Sequence, residues 1–387
     1  MILMKIIGNW EDAVSAAPLA PFDDSVLEFF SDLSNRLVKV REHPDVAAFG
    51  FWCRKAALRK EKANYSDLDS RLGRGLVFHS TPSNVAVNFA YSFAAGLLAG
   101  NSNIVRLPGK DFEQVSIITD TVMDLFADKY QKLAPYLCFV KYPPNKELHN
   151  RFSDVCDVRV IWGGDGTINE LRQSPMKPRA IELTFADRYS IAVLNAEEYL
   201  KAADKQSIAQ AFYNDTYFSD QNACTAPGIV FWLGTHKETA KEAFWESVRV
   251  LAREKYELAP VQSVGKLAAF CKLAASMSVD LEVSKDCYVT RINVADLTED
   301  IMNFKYNSGF YFEHDIDSLK DILPICGERL QTLTYYGLSI DEINTFIKEW
   351  KPKGIDRAVP MGKSMDFSLV WDGYDLIHSM TRIINVV

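Results

Sequence analysis

Leu76-Val77-Phe78-His79-Ser80-Thr81-Pro82-Ser83-Asn84-Val85 is followed after a short interval by Ala99-Gly100-Asn101-Ser102-Asn103-Ile104-Val105-Arg106-Leu107-Pro108. Each stretch holds a compact apolar run that closes on polar residues and proline, which reads as a buried strand, Leu76–Ser80 and then Asn103–Leu107. The interval Asn84–Ala99 has helical length and patterning, so the unit reads strand–helix–strand. The alternation continues outward. Phe112–Tyr130, Lys146–Phe152 and Thr167–Gln173 read as helices; Leu137–Val140, Val158–Trp162, Ile181–Thr184 and Ile191–Leu194 read as strands. Beyond them come the helix Glu197–Asn214, the strand Ile229–Leu233 and the helix Glu238–Leu258. Strands separated by helical crossovers make a parallel α/β sheet, whose ligands lie beyond the carboxyl ends of the strands. Residues 1–75 read as helical, and the tail Thr381–Val387 as a short β-prone end.

The chain has 387 residues, enough for two or three domains. Its 43 Lys and Arg against 51 Asp and Glu give a net charge of −8, the wrong sign for a general nucleic-acid binder. Seven cysteines (53, 138, 156, 224, 271, 287 and 326) are scattered, without the pairing that marks a zinc site or a disulfide framework. The stretch Val85–Leu98 is too short and too polar to span a bilayer, and the start lacks a signal-peptide pattern, so the expectation is a cytoplasmic protein without a membrane span.

Three constellations could carry chemistry. In the first, Thr81-Pro82-Ser83-Asn84 ends a strand and opens a helix, presenting amide groups at a crevice. Asn84 also reads as a plain helix cap, and Arg106 as a surface cation or as a contact to ribose or phosphate. In the second, Gly163-Gly164-Asp165-Gly166-Thr167 follows a strand, where glycines let backbone approach a ligand at a helix N-terminus. The same letters with Asn169-Glu170 resemble the signature of lipid and NAD kinases. A kinase of that type carries a β-sandwich downstream, whereas residues 197–279 read as mostly helical. In the third, Gln221-Asn222-Ala223-Cys224-Thr225-Ala226-Pro227 sets a cysteine in a polar turn between a helix and a strand. A nucleophilic thiolate needs such exposure. The other six cysteines lie in apolar runs or charged helices and read as inert.

Taken in order, these segments resemble the aldehyde dehydrogenase superfamily, and within it the LuxC-type acyl-CoA reductases, from about Leu76 to Val387. The family-specific stretch is Gly354-Ile355-Asp356-Arg357-Ala358-Val359-Pro360-Met361-Gly362, continuing through Met365-Asp366-Phe367 to Trp371-Asp372-Gly373-Tyr374. The resemblance implies two Rossmann-like α/β domains and a short C-terminal oligomerisation strand. Residues 1–182 would be a helical region plus the dinucleotide-binding domain, 183–350 the catalytic domain, and 351–387 a segment returning to the cofactor domain. It implies NADPH-dependent reduction of an acyl thioester to an aldehyde, with NADP preferred over NAD. Cys224 would be the nucleophile, Asn84 an oxyanion donor and Glu182, in Ile181-Glu182-Leu183, the general base. Thr184-Phe185 stands where the superfamily has glycines, so Glu182 also reads as a strand-end carboxylate. Thr81, Pro82, Arg106, Gly163, Gly164, Gly166 and Thr167 would hold the cofactor, and no metal is implied. Acyl-CoA or an acyl carrier would be the donor, an acyl-activating or acyl-transferring enzyme a partner, and a homo-oligomer the assembly. The competing readings are the kinase above and an acyl carrier or transferase that uses Cys224 without hydride transfer.

Overall fold

A computed structural model describes residues 5–82, 85–282 and 286–387. The chain divides into two units, one built from Met1–Ala186 with Phe367–Val387 and one from Asp187–Asp366. The expected return at residue 351 therefore falls at 367, because Arg357–Pro360 adds a strand to the second unit's sheet.

The first unit opens with strand β1 (Lys5–Ile7) and helices α1 (Trp10–Ser15), α2 (Asp24–Leu37), α3 (Pro44–Trp52) and α4 (Lys55–Lys62). In α2, Val26, Phe29, Phe30, Leu33 and Leu37 recur at helical spacing and are all buried. Strand β2 (Arg71–Gly73) precedes the alternating core: β3 (Leu76–Ser80), α5 (Asn88–Leu98), β4 (Ser102–Arg106), α6 (Glu113–Asp128), β5 (Leu137–Lys141), α7 (Lys146–Val155), β6 (Val158–Trp162), α8 (Asp165–Leu171) and β7 (Ile181–Phe185). The sheet runs β1-β5-β4-β3-β6-β7, with β1 antiparallel at one edge and the rest parallel. All five residues of β3 are buried, as a parallel strand covered on both faces requires. The parallel part of the sheet starts at β3, builds outward to β5 and then crosses back to β6, which makes a topological switch point between β3 and β6. Helix α5 begins at Asn88, four residues after the expected start (88 − 84). Strand β1, within a region read as helical, exists through its pairing with β5.

The second unit contains β8 (Tyr189–Asn195), α9 (Ala196–Lys201), α10 (Lys205–Asp215), β9 (Pro227–Leu233), α11 (Lys237–Lys255), α12 (Pro260–Ala274), β10 (Val279–Glu282), β11 (Thr290–Val294), β12 (Phe310–Ile316), β13 (Leu330–Tyr336), α13 (Ile340–Trp350) and β14 (Arg357–Pro360). Its sheet runs β10-β11-β12-β9-β8-β13-β14, parallel except for β10. Alternate residues serve opposite faces: Ile191, Val193, Ile229 and Phe231 in one core, Ala192, Leu194, Val230 and Trp232 in the other. The expected single helix 197–214 is two helices. Asn195 caps α9, and Asp204 accepts from the Ser207 amide at 2.9 Å to start α10.

The chain then returns to the first unit. β15 (Val370–Trp371) and β16 (Tyr374–Asp375) form a hairpin whose turn residues Asp372 and Gly373 both have positive φ, 49° and 76°. Helix α14 (Leu376–Met380) buries Leu376, Ile377 and Met380 in that unit's core. The last strand, β17 (Thr381–Ile383), pairs with β2 of the same chain. No described helix is long and apolar enough to cross a membrane.

Candidate active site

In the first unit, the last rung of the sheet aligns Ser80 with Arg106 on one side and with Ile161 on the other. The residues that follow these positions gather at the carboxyl edge: Thr81 and Pro82 after β3, Gly163 and Gly164 after β6, and Gly166 and Thr167 in the first turn of α8. The Thr81 hydroxyl donates to the Arg106 carbonyl at 2.6 Å, and the Gly163 amide to the Phe185 carbonyl at 3.1 Å. Gly164 to Thr167 are exposed, and a Cβ built on Gly164 or Gly166 would meet nothing within 4 Å. Open space in front of a helix N-terminus suits an anion.

A buried polar chain fixes this edge. Asn103 donates through Nδ2 to the carbonyls of Asn101 (2.9 Å) and Tyr136 (3.3 Å), so its Oδ1 accepts from His79 Nε2 at 2.9 Å. The neutral ring then accepts at Nδ1 from the Ser92 hydroxyl (2.7 Å), and Ser92 accepts from Trp162 Nε1 (2.9 Å). Burial pushes the His79 pKa down to about 4. One histidine thus ties β3, β4, α5 and the strand end that carries the glycine turn.

In this unit several buried polar atoms have no partner among the described residues. They include Arg106 Nε, Tyr142 Oη and both ring nitrogens of His149. The Arg106 guanidinium lies 4.9 Å from the Tyr142 ring centroid. Burial, together with Arg159 and Arg106, lowers the His149 pKa to about 4. The open, exposed glycine turn fits a phosphate-bearing ligand such as a dinucleotide.

Glu182 departs from the expected general base. It sits on the edge strand β7 opposite Arg159, two residues before the rung that pairs Thr184 with Ile161. Its Oε2 accepts from Arg159 Nε at 2.8 Å and its Oε1 from Arg172 Nε at 2.7 Å. A carboxylate held by two guanidinium groups, one of them buried, is a structural anion, and the general-base assignment is dropped. Asn84 lies outside the described residues.

In the second unit, Cys224 is half-buried. It occupies a turn closed by the Ala226 amide on the Ala223 carbonyl at 3.0 Å, immediately before β9. Its carbonyl accepts from the Ser190 hydroxyl at 2.7 Å, and the Thr225 hydroxyl lies 3.3 Å from the Met365 sulfur. The family-specific stretch thus reaches the turn that carries Cys224, held in place by buried Asp215, which accepts from the amides of Gly362 (2.6 Å) and Ser364 (2.9 Å). Cys53, Cys138, Cys156 and Cys326 are buried and their thiol pKa values are raised by desolvation. Cys271 and Cys287 are exposed. Asp215 went unnoticed in the sequence because both of its partners lie far along the chain. Residues 187–366 form a parallel α/β unit and not a β-sandwich, which removes the structural support for a kinase.

Comparison with known proteins bears on the family and the fold. The acyl-CoA reductase (LuxC) family matches residues 53–383. The long-chain acyl-protein thioester reductase of Aliivibrio fischeri is 23% identical over 268 residues, 68% of this chain and 53% of its own length. The protein of the same name from Photorhabdus luminescens is 22% identical over 327 residues, 81% of this chain and 63% of its own. The chain therefore spans between half and two thirds of the length of these relatives. Among solved structures, aldehyde dehydrogenase 21 from Physcomitrella patens, in complex with succinate, superposes with a TM-score of 0.67 at 11% identity, covering 97% of this chain and 88% of that one. PnpE in complex with nicotinamide adenine dinucleotide gives 0.68 at 12%, covering 96% and 87%. At such identities the likeness is one of fold, and the fold is that of the aldehyde dehydrogenases. Residues 53–383 carry both the match and every candidate site residue named above, and the chain belongs to the acyl-CoA reductase (LuxC) family.

Proposed function

We propose that this protein reduces an acyl thioester to an aldehyde through an S-acyl intermediate on Cys224. The observation that carries the reading is Cys224 itself, half-buried on a turn whose carbonyl is pinned by Ser190, while four other cysteines are sealed in the core. The sulfur attacks the thioester carbonyl, the new carbon–sulfur bond forms, and the donor leaves as a thiol. Splitting a difficult transfer into two steps is the benefit of covalent catalysis. The Cys224 amide and the Asn84 side chain are the proposed oxyanion donors, and loss of one such donor typically costs about 10²–10³ in rate. No water need be activated in this direction, so a structural Glu182 is compatible with the chemistry.

Thr81, Pro82, Arg106, Gly163, Gly164, Gly166 and Thr167 are the proposed cofactor contacts. These residues would hold a nicotinamide dinucleotide, whose chemistry when bound would be to donate a hydride. A guanidinium at the end of β4, that of Arg106, supports NADP over NAD, because a guanidinium matches a 2′-phosphate. The names of the curated relatives support an acyl-protein donor, supplied by an acyl-activating or acyl-transferring enzyme, with acyl-CoA as the simpler probe. Following loss of nicotinamide absorbance with dodecanoyl-CoA and NADPH tests the reading. The wild type is expected to make dodecanal and Cys224→Ala none; turnover by the variant would refute the cysteine chemistry.

A further inference from the structure

The turn that carries Cys224 hangs from two consecutive non-glycine residues in the left-handed region, Asp220 and Gln221, both with φ of 51°. The segment facing them repeats the feature with Ser308 (φ 61°) and Gly309 (φ 83°). Such residues cost on the order of 1–3 kcal/mol each and persist only where the surroundings over-determine them. Here the surroundings are specific. Gln221 Oε1 accepts from the amides of Gly309 (2.7 Å) and Phe310 (3.2 Å), and its Nε2 donates to the Pro227 (3.3 Å) and Phe310 (3.4 Å) carbonyls. One side chain thus spans the starts of β9 and β12. Asp220 collects four donors: the hydroxyls of Ser308 (2.8 Å) and Tyr256 on Oδ1, and the amides of Gln262 (3.3 Å) and Asn222 (3.5 Å) on Oδ2.

Ser308 is gripped a second time. Lys266, on α12, has a buried ammonium that donates to the Ser308 carbonyl at 2.7 Å and to the Cys287 carbonyl. A lysine in such a place is unusual, because burying an ammonium is costly unless its protons are taken up. Desolvation lowers its pKa only to about 8, so the cation survives at neutral pH. An anion on the hydroxyl and a cation on the carbonyl of one residue clamp the two left-handed turns together.

We infer that Asp220 and Lys266 are positioning residues for Cys224, acting through Ser308 to fix the turn that presents the sulfur. The inference rests on the reading of Cys224 as the nucleophile. Displacing a reacting group by about 1 Å can cost on the order of 10²-fold in rate. Replacing Asp220 by Asn sets an NH2 group against donors, and replacing Lys266 by Met leaves two carbonyls without their proton donor.

The test uses the full chain without dinucleotide and follows acylation by dodecanoyl-CoA. In that step the Cys224 sulfur bonds to the acyl carbon, the bond from that carbon to the CoA sulfur breaks, and the thiol proton ends on the released CoA. Asp220→Asn and Lys266→Met should each slow acylation by about 10²-fold, leaving the half-saturating dodecanoyl-CoA concentration unchanged. Because both act through one residue, the double variant should be no slower than either single one. Alkylation of Cys224 by iodoacetamide, which needs no aligned carbonyl, should keep its wild-type rate. Ser308→Ala, the smallest change, should also lose acylation, and it decides the matter if the larger substitutions do not fold. Wild-type acylation in Ser308→Ala, losses that multiply in the double variant, or alkylation that changes in step with acylation would each overturn the clamp. Dodecanoyl transfer to Cys224→Ala would instead overturn the nucleophile reading on which it rests.

Discussion

His79 shows how one residue's chemistry sets behaviour that can be measured. Its ring is neutral because both nitrogens are committed, Nε2 to Asn103 and Nδ1 to Ser92, in a fully buried site. His149 is neutral for a related reason, burial beside cationic Arg159 and Arg106. Both pKa values fall from 6.5 to about 4, so on acidification the unfolded chain takes up protons before the folded one. Stability should therefore drop as pH falls from about 6.5 to about 4 and level off below that, by about 2 kcal/mol per histidine between pH 7 and 5. Urea melts across that range check the sign, and His149→Leu should reduce the slope by about half. Glu182 offers a second residue-level prediction. Glu182→Gln deprives buried Arg159 of its anion and should cost about 2–4 kcal/mol in a thermal melt while leaving the pH profile of turnover unchanged. The sequence displayed Cys224 because its polar neighbours are adjacent. It could not display Asp215 or the Lys266–Ser308–Asp220 link, since those partners are distant in the chain and nothing local marks them.

At the scale of elements, the glycine turn and helix α8 behave differently at neighbouring positions. A Cβ on Gly164 enters open space, whereas one on Gly163 comes within 3.3 Å of Thr167. Gly164→Leu should leave the melting temperature unchanged and weaken NADPH binding by about tenfold or more, because the side chain fills the approach to the helix N-terminus. Titration of NADPH by fluorescence checks this, and unchanged affinity would place the dinucleotide elsewhere. The break between α9 and α10 carries a milder expectation. Asp204→Ala removes a cap and should cost about 1 kcal/mol in a denaturant melt. Strands were the most legible elements. Leu76–Ser80 and Val158–Trp162 match their sequence reading residue for residue, because buried parallel strands are written as continuous apolar runs. Helix ends were less legible, since caps such as Asp204 interrupt an apolar pattern that otherwise continues. Short β1 was illegible because only its pairing with β5 makes it a strand.

Across the whole molecule, the C-terminal return to the first unit followed from the family-specific stretch, but its junction at 366/367 depended on β14 joining the second sheet. The return is structural. Leu376, Ile377 and Met380 are buried in the first unit's core, and removing each large apolar side chain costs about 2–4 kcal/mol against a typical total of about 5–15. Deleting residues 376–387 should therefore unfold that unit, and limited proteolysis should cut first within residues 5–186; a wild-type digestion pattern would count against this assignment. The account as a whole depends on a covalent acyl-enzyme. Intact-protein and peptide mass spectrometry after exposure to dodecanoyl-CoA without dinucleotide measures it directly. The predicted result is one dodecanoyl group on the Cys224 peptide that disappears as dodecanal forms when NADPH is added. An unmodified chain, or an adduct confined to exposed Cys271 or Cys287, would contradict it.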